Sequence, residues 1–95
     1  MRVWLFFNRD LAPDTPEAPE VLRFVETAKA LDIELHVLKP SEFDLVVDSS
    51  GGWSASYQGR ELRKPDLIIP RGGSETSYFT LAVLRHFERQ GVAIA

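Results

Sequence analysis

The sequence contains no cysteine among its 95 residues. A disulfide framework, a thiolate nucleophile and a cysteine zinc site are therefore excluded. Long apolar stretches are missing as well. The first apolar run, Val3 to Phe7, is far too short for a signal-peptide core or a membrane span. Basic residues are in the minority, eleven Lys and Arg against fourteen Asp and Glu for a net charge of −3, which argues against a generic polyanion binder and so against nucleic acid. Glycine is sparse and poorly placed for phosphate binding. Gly51-Gly52 and Gly72-Gly73 form no Gly-x-Gly-x-x-Gly fingerprint, and no Walker-type loop ending in Lys-Ser/Thr exists. No Gly-x-Ser-x-Gly elbow surrounds any serine.

What is present is ordinary for a soluble globular fold: 44% hydrophobic and 26% charged residues. A chain this short buries only roughly 60–65% of its unfolded surface. It has room for one modest core and not for a deep cleft between two lobes. A single cytoplasmic domain is expected. Charge is uneven along it, with five bases and ten acids in residues 1–50 and six bases and four acids in residues 51–95. One acidic and one mildly basic surface would fit this, although solvated faces often look alike.

Arg2–Phe7 reads as a strand, and its lack of alternation suits a central strand covered on both faces. An Asp- and Pro-rich loop follows. Val21, Phe24, Val25, Ala28 and Leu31 then recur at helical spacing and place a helix at about 17–31. Pro19 fits its first turn, and Glu17 and Glu20 lie near the positive end of its dipole. Glu34–Leu38 reads as a second strand, so the first forty residues form a strand–helix–strand unit that normally closes in parallel. Leu45-Val46-Val47 is a short apolar stretch. Trp53–Tyr57 and Arg60–Leu62 flank Gln58-Gly59 as a two-residue hairpin. Asp66–Pro70 is another buried strand, and a second helix is expected at roughly 75–90, capped by Ser74 or Ser77 and stopped by Gly91. Val92–Ala95 begins a last strand. The fold class is α/β: a small, mainly parallel sheet flanked by two helices, with a β-hairpin insert. The expected core is Val3, Leu5, Phe7, Leu22, Val25, Leu35, Val37, Leu67, Ile69, Val83 and Phe87.

Ligands of open parallel sheets bind outside the carboxyl ends of the strands. Two such ends stand out: Asn8-Arg9-Asp10, and Arg71-Gly72-Gly73-Ser74 leading into a helix. An arginine beside free helix N–H groups attracts carboxylate or phosphate. The plainer alternative is a tight glycine turn with solvated arginines. Asp10 and Asp14 have the chemistry for magnesium, but aspartates are expected in such a loop for turn formation. His36 and His86 come from different elements without a carboxylate motif, which favours structural or surface roles over metal binding. Trp53 and Tyr57 share one face of a strand, either as an interaction surface or as a cover for the sheet edge. No catalytic set can be assembled from these residues.

In order along the chain stand Asn8-Arg9-Asp10 after an apolar strand, Tyr57-Gln58-Gly59-Arg60-Glu61-Leu62, Asp66-Leu67-Ile68-Ile69-Pro70-Arg71-Gly72-Gly73, and Leu84-Arg85-His86-Phe87-Glu88. Together they resemble the N-terminal, pre-ATP-grasp domain of the RimK-type ligases, over essentially the whole chain. That family adds glutamate to the C-terminus of a small-subunit ribosomal protein, and its relatives ligate other amino acids to peptides or small acids. The sequence departs from the family in two places. Ser is usual where Asn8 stands, and the loop at 11–19 is more acidic and proline-rich here, so a different substrate fits the pattern too.

The resemblance implies one Rossmann-like pre-ATP-grasp domain over residues 1–95. It would be the accessory, substrate-side domain of an ATP-dependent carboxylate–amine ligase and inactive by itself. ATP and magnesium would be held by an ATP-grasp region absent from these residues, where ATP phosphorylates a carboxylate and an amine attacks the acyl phosphate. No cofactor, metal or catalytic residue is expected in this chain. Asn8, Arg9, Arg71, Gly73 and Ser74 are the residues expected to contact an acidic peptide or small-molecule substrate, or to dock the catalytic region. Apolar surface that normally meets that region would drive some homodimerisation. The competing reading is a free-standing α/β binding or adaptor domain without catalysis, which meets a partner through its hairpin and acidic helix.

Overall fold

A computed structural model describes residues 1–9, 14–47, 49–71 and 77–95, with Trp53 described by its backbone only. The element order is β1 (Arg2–Phe6), α1 (Ala18–Ala30), β2 (Glu34–Leu38), a 3-10 turn (Pro40–Glu42), β3 (Phe43–Val47), β4 (Trp53–Tyr57), β5 (Leu67–Pro70), α2 (Tyr78–Arg89) and β6 (Ala93–Ile94). Four strands form a sheet in the order β2-β1-β5-β6, every pair parallel, and β3 and β4 form a separate antiparallel ribbon. The α/β class and the mainly parallel sheet are as the sequence predicts.

The strand order reverses between β1 and β5, so the two helical connections serve opposite flanks of the sheet. The buried clusters reflect this. On one face Leu5 and Phe7 pack with Val21 of α1, joined by Leu35, Val37 and Ile69. On the other face Trp4, Phe6, Leu38 and Ile68 pack with Val83 and Phe87 of α2, with Phe43 of β3 and with Val92. β1 is thus apolar on both sides because both sides are covered. The second face holds the larger side chains, and its rings interlock. Phe43 lies 5.8 Å from Trp4, 5.5 Å from Phe6, 4.9 Å from Tyr57 and 5.7 Å from Phe87, ring centre to ring centre. These are tilted or edge-on contacts, the geometry that ring quadrupoles favour.

Three expectations need correction. Leu22 is exposed, because α1 turns Ala18, Val21 and Ala28 inward and a neighbour one residue from Val21 points about 100° away. Much of the core comes instead from Trp4, Phe6, Leu38, Phe43 and Ile68, the residues between those named above on β1 and β5 or outside that set. The hairpin is also built differently. The partner of β4 is β3, in the register Phe43↔Tyr57 through Val47↔Trp53, and not Arg60–Leu62. The Gln58-Gly59 turn does form, with φ of 51° and 78°, and Tyr57 and Arg60 exchange backbone hydrogen bonds of 2.7 and 2.9 Å across it. That pairing stops after one bridge. Ser77 caps α2 by accepting from the Thr80 N–H at 3.1 Å, while Ser74 lies outside the described residues. Gly91 takes the left-handed φ of 88° expected of the residue that ends a helix.

Candidate functional site

The carboxyl ends of β1, β2 and β5 lie side by side. Beyond them the ladder continues for one residue: the Phe7 N–H donates to the Leu38 carbonyl and the Arg71 N–H to the Phe6 carbonyl, each at 2.9 Å. Asn8, Arg9, Lys39 and Arg71 therefore emerge along one rim. Between β1 and β5 the strand order reverses, and at such a switch point the flanking loops part and leave a crevice.

Alternation along the strands sets where each side chain goes. Asn8 follows Trp4 and Phe6 in step, and its Oδ1 accepts from the Ser41 N–H at 3.2 Å, joining the end of β1 to the 3-10 turn. Arg71 follows Leu67 and Ile69 in step, towards α1. There its guanidinium pairs with Glu20 in the first turn of α1 and lies over the Phe24 ring, 5.8 Å from its centre. Its Nε is enclosed and has no hydrogen-bond acceptor among the described residues. Arg71 thus clamps the end of β5 to α1. Gly73 and Ser74, the remaining candidates on this loop, lie outside the described residues, as does Asp10.

Arg9 has different surroundings. It lines a cavity of about 300 Å³ at the ends of β1 and β2, with Phe7 and Val37 at its base and Lys39, Glu42, Tyr57 and Gln58 around it. Among the described residues, two cations and one carboxylate line it. Glu42 is also engaged by the Gln58 side-chain amide, and the Gln58 N–H donates to the Glu42 carbonyl at 3.1 Å. The Tyr57 hydroxyl accepts from the Lys39 N–H at 2.9 Å, and the Tyr57 ring rests edge-on against Phe43. The ribbon is in this way fixed to the end of β2 and supplies one wall of the cavity. A cationic, partly apolar pocket of this kind can hold a carboxylate while exposing the rest of a ligand to the rim.

Lys39, Glu42 and Gln58 are absent from the candidates read from sequence, and Tyr57 stands there only for the face of its strand. A signal existed for one of them: Lys39 directly follows a parallel strand, as Arg9 follows β1 by three residues.

The histidines lie elsewhere. His36 is exposed, and its Nε2 is 3.0 Å from the Glu34 carboxylate. Arg2 pairs with the same carboxylate, and hydrogen bonds from Arg2 first and His36 second hold Glu34 below its ordinary value. Burial, with the charge of Arg89 adding to it, pushes His86 down. Its Nε2 faces the Gln90 side-chain nitrogen at 3.1 Å, the arrangement of a neutral imidazole accepting from an amide. Among the described residues no three His, Asp or Glu side chains gather as metal ligands, and no helix is long and apolar enough to cross a membrane.

Known proteins share this chain's pattern. Residues 13–95 match the family described as the RimK PreATP-grasp domain. A protein of Shewanella baltica named "Probable alpha-L-glutamate ligase 2" is 38% identical over 77 residues, which cover 81% of this chain and 25% of that protein. Proteins named "Probable alpha-L-glutamate ligase" from Thioalkalivibrio sulfidiphilus and Pectobacterium carotovorum are 37% and 36% identical, over 74% and 73% of this chain and 23% and 22% of their own lengths. The chain spans about a quarter of the length of these relatives. The family match over residues 13–95 and these relatives lead to one assignment: this chain belongs to the RimK PreATP-grasp domain family.

Proposed function

We propose that the chain is the substrate-side domain of an ATP-dependent carboxylate–amine ligase, one that adds glutamate or another amino acid to a peptide or small acid through an acyl phosphate. The match to the RimK PreATP-grasp family over residues 13–95 carries this reading. The pocket at the ends of β1 and β2 supports it, because Arg9 and Lys39 suit a substrate bearing carboxylates. In this reading Arg9 touches the substrate. Arg71, held by Glu20 and Phe24, is a positioning residue that fixes the end of β5 to α1. Asn8 positions the 3-10 turn behind the pocket. Gly73 and Ser74, which follow β5 in sequence, keep their proposed part in substrate contact or docking.

ATP and magnesium belong to the catalytic region of such a ligase. When bound there they supply the phosphoryl group that activates the carboxylate. The residues described here bind and orient the acidic end of the substrate and take no part in phosphoryl transfer. Calorimetric titration of this chain with ATP and magnesium should release no binding heat. Tight magnesium-dependent binding would overturn the division of labour, since the nucleotide site would then lie within these 95 residues.

A further inference from the structure

α2 turns Val83 and Phe87 into the core and carries Ala82, Arg85, His86 and Arg89 along a neighbouring face, at helical spacing. β3 runs beside that face. Leu45 follows Phe43 in step along the strand and packs on the same core. Between helix and strand lies a cavity of about 380 Å³, lined by Leu45, Ala82, Arg85, His86, Arg89 and Gln90. It shares no lining residue with the pocket at the ends of β1 and β2.

Charge on this wall is unbalanced among the described residues. Arg85 and Arg89 are exposed, and neither pairs with a carboxylate there. They stand one helical turn apart, with about 5–6 Å between Cβ atoms, a spacing at which like charges repel. Glu88, next to Arg89 in the chain, points about 100° away around the helix. The helix dipole accounts for Arg89, which lies in the last turn, but its pull fades before Arg85 is reached. His86 adds no counter-charge. Burial and the charge of Arg89 both disfavour a proton on it, and its Nε2 faces the Gln90 side-chain nitrogen at 3.1 Å. Two guanidinium groups that repel each other thus border one hollow.

We propose that this cavity binds the phosphate of a small phosphomonoester whose apolar body lies against Leu45 and Ala82. Three features select that class. A phosphate group offers three terminal oxygens and close to two negative charges, which two guanidinium forks can share. A carboxylate is already satisfied by one arginine through two parallel hydrogen bonds. The volume falls within the range of about 300–1,000 Å³ usual for small-molecule sites and leaves room beyond a bare phosphate. The site rests on α2 and β3 alone and does not depend on the ligase reading.

Titration with phenyl phosphate at constant ionic strength tests it, read from the ring-proton NMR signals of the two histidines. His86 lines the cavity, whereas His36 lies beside Glu34 on β2 and does not. Phenyl phosphate should shift His86 saturably and leave His36 nearly unmoved. Inorganic phosphate should bind roughly tenfold more weakly for want of the apolar contact, and benzoate at least tenfold more weakly for want of the second arginine. Arg85→Gln and Arg89→Gln, exposed changes that spare the core, should each weaken phenyl phosphate binding by at least tenfold. No saturable shift of His86, or equal shifts of both histidines, would overturn the proposal. Benzoate binding as tightly as phenyl phosphate would make this a carboxylate site and overturn it equally, as would unchanged affinity in both variants. If the amide spectrum shows that the chain does not fold by itself, calorimetric titration of the full-length protein with phenyl phosphate takes its place. Binding heat should then fall when both arginines are changed to glutamine, and equal heats with and without the two changes would refute the site.

Discussion

Phe43 joins three parts of the molecule: the ribbon that bears it, the sheet beneath, and α2. Its ring is 3% exposed and touches four other aromatic rings. Replacing it by alanine removes a large buried side chain and leaves a cavity that those rigid neighbours cannot close. Such truncations cost about 3–5 kcal/mol. A domain of this size has about 5–14 kcal/mol in total at the usual per-residue stability. Phe43→Ala should therefore lose roughly a fifth or more of the stability. With a urea slope of about 1–1.5 kcal/mol/M for a small domain, the midpoint should fall by roughly 2–5 M. Phe43→Leu, which keeps most of the volume, should lose less than half as much. The effect reaches the candidate site, because Tyr57 and Gln58 stand on the same ribbon and Tyr57 packs on Phe43. Urea unfolding followed by tryptophan fluorescence measures the cost. A loss under about 1 kcal/mol, the scale of an ordinary surface change, would refute the packing described for the ribbon.

Two further outcomes follow from the charges. Glu20→Gln removes the carboxylate paired with Arg71. Both side chains are substantially exposed, 56% and 35%, so the loss should be only about 0.2–1 kcal/mol and should shrink in high salt. The pH dependence has two parts of known sign. His86 is depressed in the folded state, so the unfolded chain takes up a proton first, and its contribution is lost as pH falls below the unfolded value of about 6.5. Glu34 is also depressed, so its contribution is complete above its unfolded value and is lost as pH falls through the folded one. Urea midpoints measured from pH 8 to pH 3 should decline in both ranges, the upper decline shallower in His86→Gln and the lower one slightly shallower in Glu34→Gln.

The sheet was legible because its strands are short apolar blocks separated by clear turn residues, and the helices because their apolar spacing is regular. The ribbon was less so. Phe43–Val47 contains Asp44 and an unbroken Leu45-Val46-Val47, which gives no clean alternation, whereas Gln58-Gly59 advertises a turn strongly. The stronger local signal pointed to the wrong partner strand. Arg71 shows what can be read further. Two-residue alternation from Leu67 and Ile69 already directs it to the α1 face, and α1 offers Glu20 and Phe24 there. The pocket could not be read in the same way. Arg9, Lys39 and Gln58 come from three elements, and the Tyr57 hydroxyl meets the Lys39 N–H across 18 positions of sequence. Only the fold brings them together.

The central claim is that the cations at the ends of β1 and β2 hold an acidic substrate. Steady-state kinetics of the whole ligase with Arg9→Met or Lys39→Met, varying the carboxylate-bearing acceptor at saturating ATP, tests it most directly. A charge-assisted hydrogen bond contributes about 1.5–3 kcal/mol, so KM for the acceptor should rise by at least tenfold in Arg9→Met, with KM for ATP unchanged. An acceptor KM that stays at the wild-type value in both variants would contradict the claim.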